Sequence, residues 1–239
     1  MSTQLRGVAL RLHGPLQAWG GASVGDTRST LPFPTRSGVL GLVAACLGIT
    51  RHDQPQLLAL AEGARVHIRV DLPGTAMVDD QTIQGNPKAS ATRQTIQSKR
   101  TYLCDASFVA VVVPGAAYTP ATIAAALKGP VFAPFLGRRS CSPSTPVLLR
   151  DEVVGDTELD LFRELEPGPQ ELIAAVTERG RQACMNVTDY YIDADAYPGS
   201  LRRIPVRDHF TGPLLRQYRE RYACHVQTQR RDGKEIPCT

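Results

Sequence analysis

Apolar residues alternate with other types in the stretch GVALRLHG, residues 7–14, with Val8, Leu10 and Leu12 on one side and Ala9, Arg11 and His13 on the other. A period of two predicts a half-buried strand. The pattern returns in ARVHIRVD, where Val66, Ile68 and Val70 alternate with Arg65, His67 and Arg69. ASFVAVVV, residues 106–113, is almost continuously apolar, as in a strand buried on both sides. TPVLLR, residues 145–150, reads as a fourth strand.

Between these strands the period lengthens. Val39, Leu40, Val43 and Leu47 follow helical spacing, with Thr35 or Ser37 placed to cap the helix start and Gly48 to end it. DQPQLLALAEG predicts a short helix with Asp53 as N-cap, Pro55 in its first turn and Gly63 as its stop. TPATIAAALKG predicts another, opened by a Thr-Pro pair and stopped at Gly129. The order βαββαβ is the ferredoxin-like pattern, an α+β architecture shared by RRM-like RNA-recognition domains.

More than thirty residues, 72–105, separate the second and third strands, where a hairpin needs only a short loop. A second break follows the fourth strand. RDEVVGDTELDLFRELEPGPQE, residues 150–171, is acidic and reads as a linker or an edge, so a boundary is expected near residue 150.

The chain of 239 residues is 42% hydrophobic and 21% charged, which suits a folded globular protein. No apolar run reaches the ~18 residues of a membrane span, and the first residues lack the flanks of a signal peptide. The expected location is the cytoplasm. Six scattered cysteines, Cys46, Cys104, Cys141, Cys184, Cys224 and Cys238, form no C-x-x-C pair, so reduced thiols are expected, without zinc. No cofactor is implied.

Charge redirects attention to the insertion. From Gln81 to Cys104 there is no Asp or Glu, while Lys88, Arg93, Lys99 and Arg100 are basic. Such a segment is either a solvated loop or a surface for phosphate and sugar oxygens. Arg138 and Arg139 follow a glycine before the fourth strand, where they can fork onto phosphates or meet carboxylates. Thr35, Arg36 and Ser37 stand at a helix mouth whose free N–H groups and dipole attract anions. Gly38 and Gly41, in the body of that helix, suggest close approach of a backbone, RNA or a neighbouring strand. Residues 201–239 carry nine Lys/Arg against four Asp/Glu, interleaved with aromatics, a mixture that suits nucleic acid or a protein interface.

Four blocks, LRLHGPLQAWGG, FPTRSGVLGLVAACLGI, QTIQSKRTYLCDASF and FLGRRSCSPSTP, resemble in content and order the CasD-type RAMP subunits of type I-E CRISPR Cascade complexes. The resemblance implies a ferredoxin-like palm at 1–78 and 106–150, an inserted basic thumb at 79–105 and a smaller β-rich C-terminal region at 151–239. It implies binding of the CRISPR RNA 5′ handle, contact with the Cascade backbone subunit and the large subunit, and target DNA reached only through the complex. The residues expected at RNA are Gln17, Trp19, Arg28, Thr35, Arg36, Ser37, Lys99, Arg100, Arg138 and Arg139. Trp19 would stack on a handle base or close the core as the only Trp.

The alternative is a metal-independent endoribonuclease acting on repeat RNA, as in a sister CRISPR subtype. That chemistry needs an acid and a base, usually His, Lys or Tyr. None of His13, His52, His67, His209 and His225 falls in the basic insertion, and SKRTYL stands where cutting relatives have a Lys-His pair. A non-catalytic role is expected.

Overall fold

The computed structural model describes residues 4–21, 23–84, 95–168, 187–195, 197–212, 217–231 and 234–237. Lys88, Arg93, Cys184 and Cys238 lie outside them.

The alternating segment forms β1 (Leu5–His13), followed by β2 (Leu16–Gln17), β3 (Ser23–Val24) and β4 (Thr27–Arg28). Helices α1 (Arg36–Leu47) and α2 (Gln54–Ala61) lead to β5 (Arg65–Leu72). A long hairpin, β6 (Thr75–Gln84) and β7 (Thr95–Cys104), precedes β8 (Ser107–Val113), α3 (Pro120–Lys128) and β9 (Leu148–Gly155). A single 3-10 turn at Asp160–Phe162 precedes β10 (Val187–Asp193), β11 (Arg202–Gly212), β12 (Gln217–Arg231) and β13 (Lys234–Pro237). The fold is mixed α+β, rich in strands and poor in helices.

The local signals act at the positions that carry them. Thr35 accepts a hydrogen bond from the Gly38 N–H at 3.2 Å, and Gly48 ends α1 at φ +78°. Thr119 caps α3 in the same way. Asp53 departs from expectation, because its carboxylate takes the Thr50 N–H and hydroxyl instead of capping α2.

The strands form two sheets. The larger has the order β11-β12-β10-β5-β8-β1-β9, with β13 also on β12, and its neighbours are antiparallel. The smaller has the order β2-β7-β4-β3, with β6 on the other side of β7; β4 and β7 are parallel.

One face of the larger sheet sends Leu10, Leu12, Ile68, Phe108 and Val112 against α1 and α3, where Val39, Val43 and Ile123 are fully buried. Each such side chain contributes roughly 1.5–3 kcal/mol of transfer free energy. Val39, Val43 and Leu40 face inward as their spacing requires.

The half-buried reading of the first two strands needs correction. Ala9 of β1 and His67 and Arg69 of β5, on the opposite face, are also buried, and Ala9 packs with Val109 and Val111 of β8 under Leu161, Phe162 and Leu165. Arg69 clamps that covering segment, donating to the carbonyls of Phe162, Leu165 and Glu166 at 3.3, 2.9 and 3.0 Å while pairing with Asp71 at 2.7 Å. A buried arginine is tolerated here because carbonyls and a carboxylate occupy its donors.

The boundary expected near residue 150 is likewise not a break. Strand β9 runs on to Gly155, the acidic stretch then packs over the sheet, and β10 joins the C-terminal strands to β5. Asp151, Glu152, Asp156, Glu164 and Glu166 are exposed, on a segment whose Leu161, Phe162 and Leu165 are core.

A second buried charge system ties α1 to these strands. Arg36 donates to the Ala61 and Ala64 carbonyls at 2.5 and 2.9 Å and lies 3.4 Å from the Asp193 carboxylate. Arg221 pairs with Asp193 at 3.1 Å and with Asp208 at 2.6 Å. Asp208 also accepts the backbone N–H of Arg36, at 2.6 Å. Replacing Asp208 by Ala leaves Arg221 and the helix mouth short of an acceptor, and is expected to cost about 3–5 kcal/mol in chemical denaturation.

Buried beside this system, His67 accepts the Asp193 N–H at 3.3 Å, and burial pushes its pKa down to about 3. Its neutral form is therefore the folded form. The unfolded chain takes up a proton below ~6.5 that the folded chain refuses, so stability falls with acidity from there towards the folded value. Between pH 7 and pH 5 the loss attributable to His67 is about 2 kcal/mol, and urea denaturation of His67→Gln should show a correspondingly flatter acid limb.

A candidate nucleic-acid interface on the smaller sheet

The smaller sheet collects the basic residues that the sequence scatters. Parallel pairing sets Arg28 of β4 beside Arg100 of β7 and Thr27 beside Lys99. Residues aligned in this way share a face, so Arg28 and Arg100 stand together while Lys99, one position away, is on the other face. The β3–β4 turn is held on β7 by the Asp26 carbonyl, which accepts the Lys99 N–H at 3.1 Å and the Ser98 hydroxyl at 3.0 Å.

Arg138 joins the cluster from the loop before β9. Its guanidinium donates to the carbonyls of Thr101 at 3.1 Å and Arg28 at 3.0 Å, and it lies 4.5 Å from the Tyr102 ring centroid. These contacts fix β4 against β7. The loop is itself tight, with Leu136 N–H bonded to the Cys141 carbonyl at 2.7 Å and Cys141 N–H to that of Arg138 at 2.8 Å. Gly137 sits at φ +87°, where an added Cβ would run into the Ala18 carbonyl oxygen. Only glycine fits both demands. Arg139 is exposed beside Arg138.

The cations of this cluster differ in how far their donors are occupied. Arg28 is exposed, with one guanidinium nitrogen bonded to the Gly25 and Thr27 carbonyls of its own turn. Arg100 is half-buried, and its Nε is enclosed without a partner among the described residues. Asp79 of β6 stands opposite Arg100, and Asp80 opposite Lys99. The acid-free run beginning at Gln81 therefore acquires acidic neighbours through pairing.

The other expected contacts are committed to the interior. Trp19 is fully buried and its indole N–H donates to the Gln17 side-chain oxygen at 2.9 Å. Gln17 is also fully buried, donating to the Ala106 carbonyl at 2.7 Å and the Leu12 carbonyl at 3.2 Å. Neither side chain offers a surface to a base, so Trp19 closes the core. Gly38 gives its ring room, since a Cβ there would approach Trp19 Cε3 to 3.0 Å. Gly41 faces open space and has no such explanation.

The helix mouth is largely enclosed as well. Thr35 is buried as a cap, Arg36 is buried among carbonyls and carboxylates, and Ser37 is half-buried in the first turn. Asp208, remote in sequence, already fills the anion position at the Arg36 N–H. Arg28, Lys99, Arg100, Arg138 and Arg139 thus gather on or around the small sheet; Gln17 and Trp19 are buried at its base, and Thr35, Arg36 and Ser37 lie at the start of α1. Sequence reasoning missed Asp208, which carries no local signal, and Tyr102, whose aromatic place beside Arg100 was visible.

Among the described residues, no group of three or more His, Cys, Asp or Glu is arranged to hold a metal ion, and no helix is long and apolar enough to cross a membrane. His13 Nδ1 lies 3.1 Å from the Ala106 carbonyl oxygen. His225 Nε2 lies 2.6 Å from Asp189, whose carboxyl it holds below its ordinary pKa.

The chain is 40% identical over 153 residues to the CRISPR system Cascade subunit CasD of Escherichia coli strain K12, spanning 59% of this chain and 68% of that protein. A chain of a solved CRISPR RNA-guided surveillance complex is similar over 97% of this chain and 91% of its own, with 30% identity and a TM-score of 0.63. A solved Cas protein matches over 97% and 95%, with 27% identity and a TM-score of 0.64. Residues 7–223 match the family model described as CRISPR-associated protein (Cas_Cas5). With most of its length inside that match, the chain belongs to the CRISPR-associated Cas5 family.

Proposed function

We propose that the chain is a non-catalytic, CRISPR-RNA-binding subunit of a type I-E surveillance complex, working in the cytoplasm, that caps the 5′ handle and joins the backbone filament to the large subunit. Target DNA is met only through the assembled complex. The palm is the ferredoxin-like unit β1, α1, β5, β8, α3 and β9, a reading supported by the antiparallel order β9-β1-β8-β5. The thumb is the hairpin β6–β7.

The observation that carries the proposal is the pairing of β4 with β7. It places Arg28 beside Arg100, with Arg139 exposed nearby and Arg138 bracing the two strands. Two adjacent guanidiniums, with Arg28 exposed and Arg100 half-buried, suit the phosphates of a single strand. The covered rear face of the large sheet favours this surface over an RRM-like sheet face, because Phe162 and its neighbours occupy the positions that stacked bases would take.

The test is retention and cleavage of labelled repeat RNA and processed CRISPR RNA, with and without the backbone subunit. The expected result is intact RNA retained only when the partner is present. Specific cutting by the chain alone would overturn the reading in favour of a processing endoribonuclease.

Arg28→Ala with Arg100→Ala should lower RNA retention at least tenfold and reduce the salt slope by about 0.7 for each phosphate no longer neutralised, with little change in melting temperature. Arg138→Ala should lower retention and melting temperature together, since it removes the brace between β4 and β7. Unchanged retention in the double variant would remove Arg28 and Arg100 from the RNA surface.

A further inference from the structure

The hairpin carries a feature that RNA binding leaves unused. Strand β6 pairs with β7 along its full ten residues and, among the described residues, with no other strand, which leaves one edge of its backbone open to a further strand. The edge is long, and residues 75–78 are all exposed, including Met77 at 39% and Val78 at 59%. Adjacent strand residues point to opposite faces, so each face beside the open edge has an apolar foothold. An uncovered edge of this length is a template for strand addition, in which main-chain bonds give affinity and alternate side chains give specificity.

Charge narrows the occupant. Asp79 and Asp80 lie at the middle of β6, which has no Lys or Arg. On one side they have Arg100 and Lys99 of β7 opposite them, while at the open edge β6 itself offers a polyanion no cation. A second copy of this chain fits poorly too. The centre of Thr75–Gln84 falls between the two aspartates, so full antiparallel self-pairing would set Asp79 against Asp80 of the copy on both sides of the axis. Like charges directly opposite destabilise a strand pair. A strand bearing Lys or Arg at its centre meets complementary carboxylates.

We infer that the open edge of β6 accepts a basic, extended segment of a neighbouring protein subunit, which adds to the small sheet as a further strand. This rests on the reading of the chain as a subunit of a larger assembly. The added strand lies on the far side of β6 from β7 and β4, so RNA at Arg28 and Arg100 and the protein strand occupy separate places on one hairpin.

Hydrogen exchange of the full chain, alone and with each subunit of the reconstituted complex added singly without RNA, tests this. The expected result is at least tenfold slower exchange of alternate amides within residues 76–84 with one subunit. Asp80→Lys should lower retention of that subunit at least tenfold while leaving RNA retention in the complex intact, and Asp80→Asn should fall between. Should Asp80→Lys not fold, the wild-type exchange and Asp80→Asn carry the test. Unchanged exchange over 76–84 with every subunit and in the full complex overturns the inference, as does protection that needs RNA alone. Protection by protein in a complex that retains no RNA would sustain the strand-acceptor edge while refuting the RNA-binding role.

Discussion

The arrangement of the whole chain depends on how Arg36 is buried. Its guanidinium binds the end of α2 through the Ala61 and Ala64 carbonyls, and its own backbone N–H, at the start of α1, binds Asp208. Asp193 and Arg221 complete a set of two cations and two anions. Such a set is costly to enclose and costly to disrupt, so its members are tied to one geometry. Burial alone pushes Arg36 down and Asp193 up from their ordinary pKa values, while their mutual attraction works in the opposite direction. The consequence is topological. The C-terminal strands become part of the larger sheet, since β10, β11 and β12 supply the charges that α1 requires.

Once both faces of that sheet are covered, interaction surfaces must come from elsewhere. The helices take one face, and the segment held by Arg69 takes the other. What projects is the small sheet, built on β7, which has β6 along one side and β2 and β4 along the other. Its base is anchored through Gln17, Trp19 and the loop at Gly137, all in contact with the same core. A rigid base under a projecting hairpin holds long cationic side chains in register, which lowers the entropic cost of binding a backbone.

The local grammar of the fold was legible. Period-two and helical patterns located β1, α1, β5, β8 and α3, and the Thr35 and Thr119 caps behave as short-range chemistry requires. Long-range commitments were not legible. Nothing near Thr35 announces Asp208, and the acidic composition of residues 150–171 masks Leu161, Phe162 and Leu165 on its buried side. The site divides in the same way. Arg28 and Arg100 lie seventy-two positions apart, and only the pairing of β4 with β7 makes them neighbours. Gln17 and Trp19 belonged to a quoted motif, yet motif membership records that a residue is needed and not which way its side chain faces.

Arginine shows most plainly why composition reads ambiguously. Arg36, Arg69 and Arg138 each direct several donors at main-chain carbonyls of segments far away in the chain, serving as internal braces. A planar group with five donors suits that work as well as it suits phosphate. The physical distinction is occupancy. Where carbonyls and carboxylates consume the donors, a phosphate would have to displace them, and the segments they hold would separate. Where the donors remain open to the surface, as the exposure of Arg28 permits, binding adds hydrogen bonds without removing any. The small sheet therefore carries two kinds of arginine: Arg138 spends its donors holding β4 to β7, and Arg28 keeps donors at the surface.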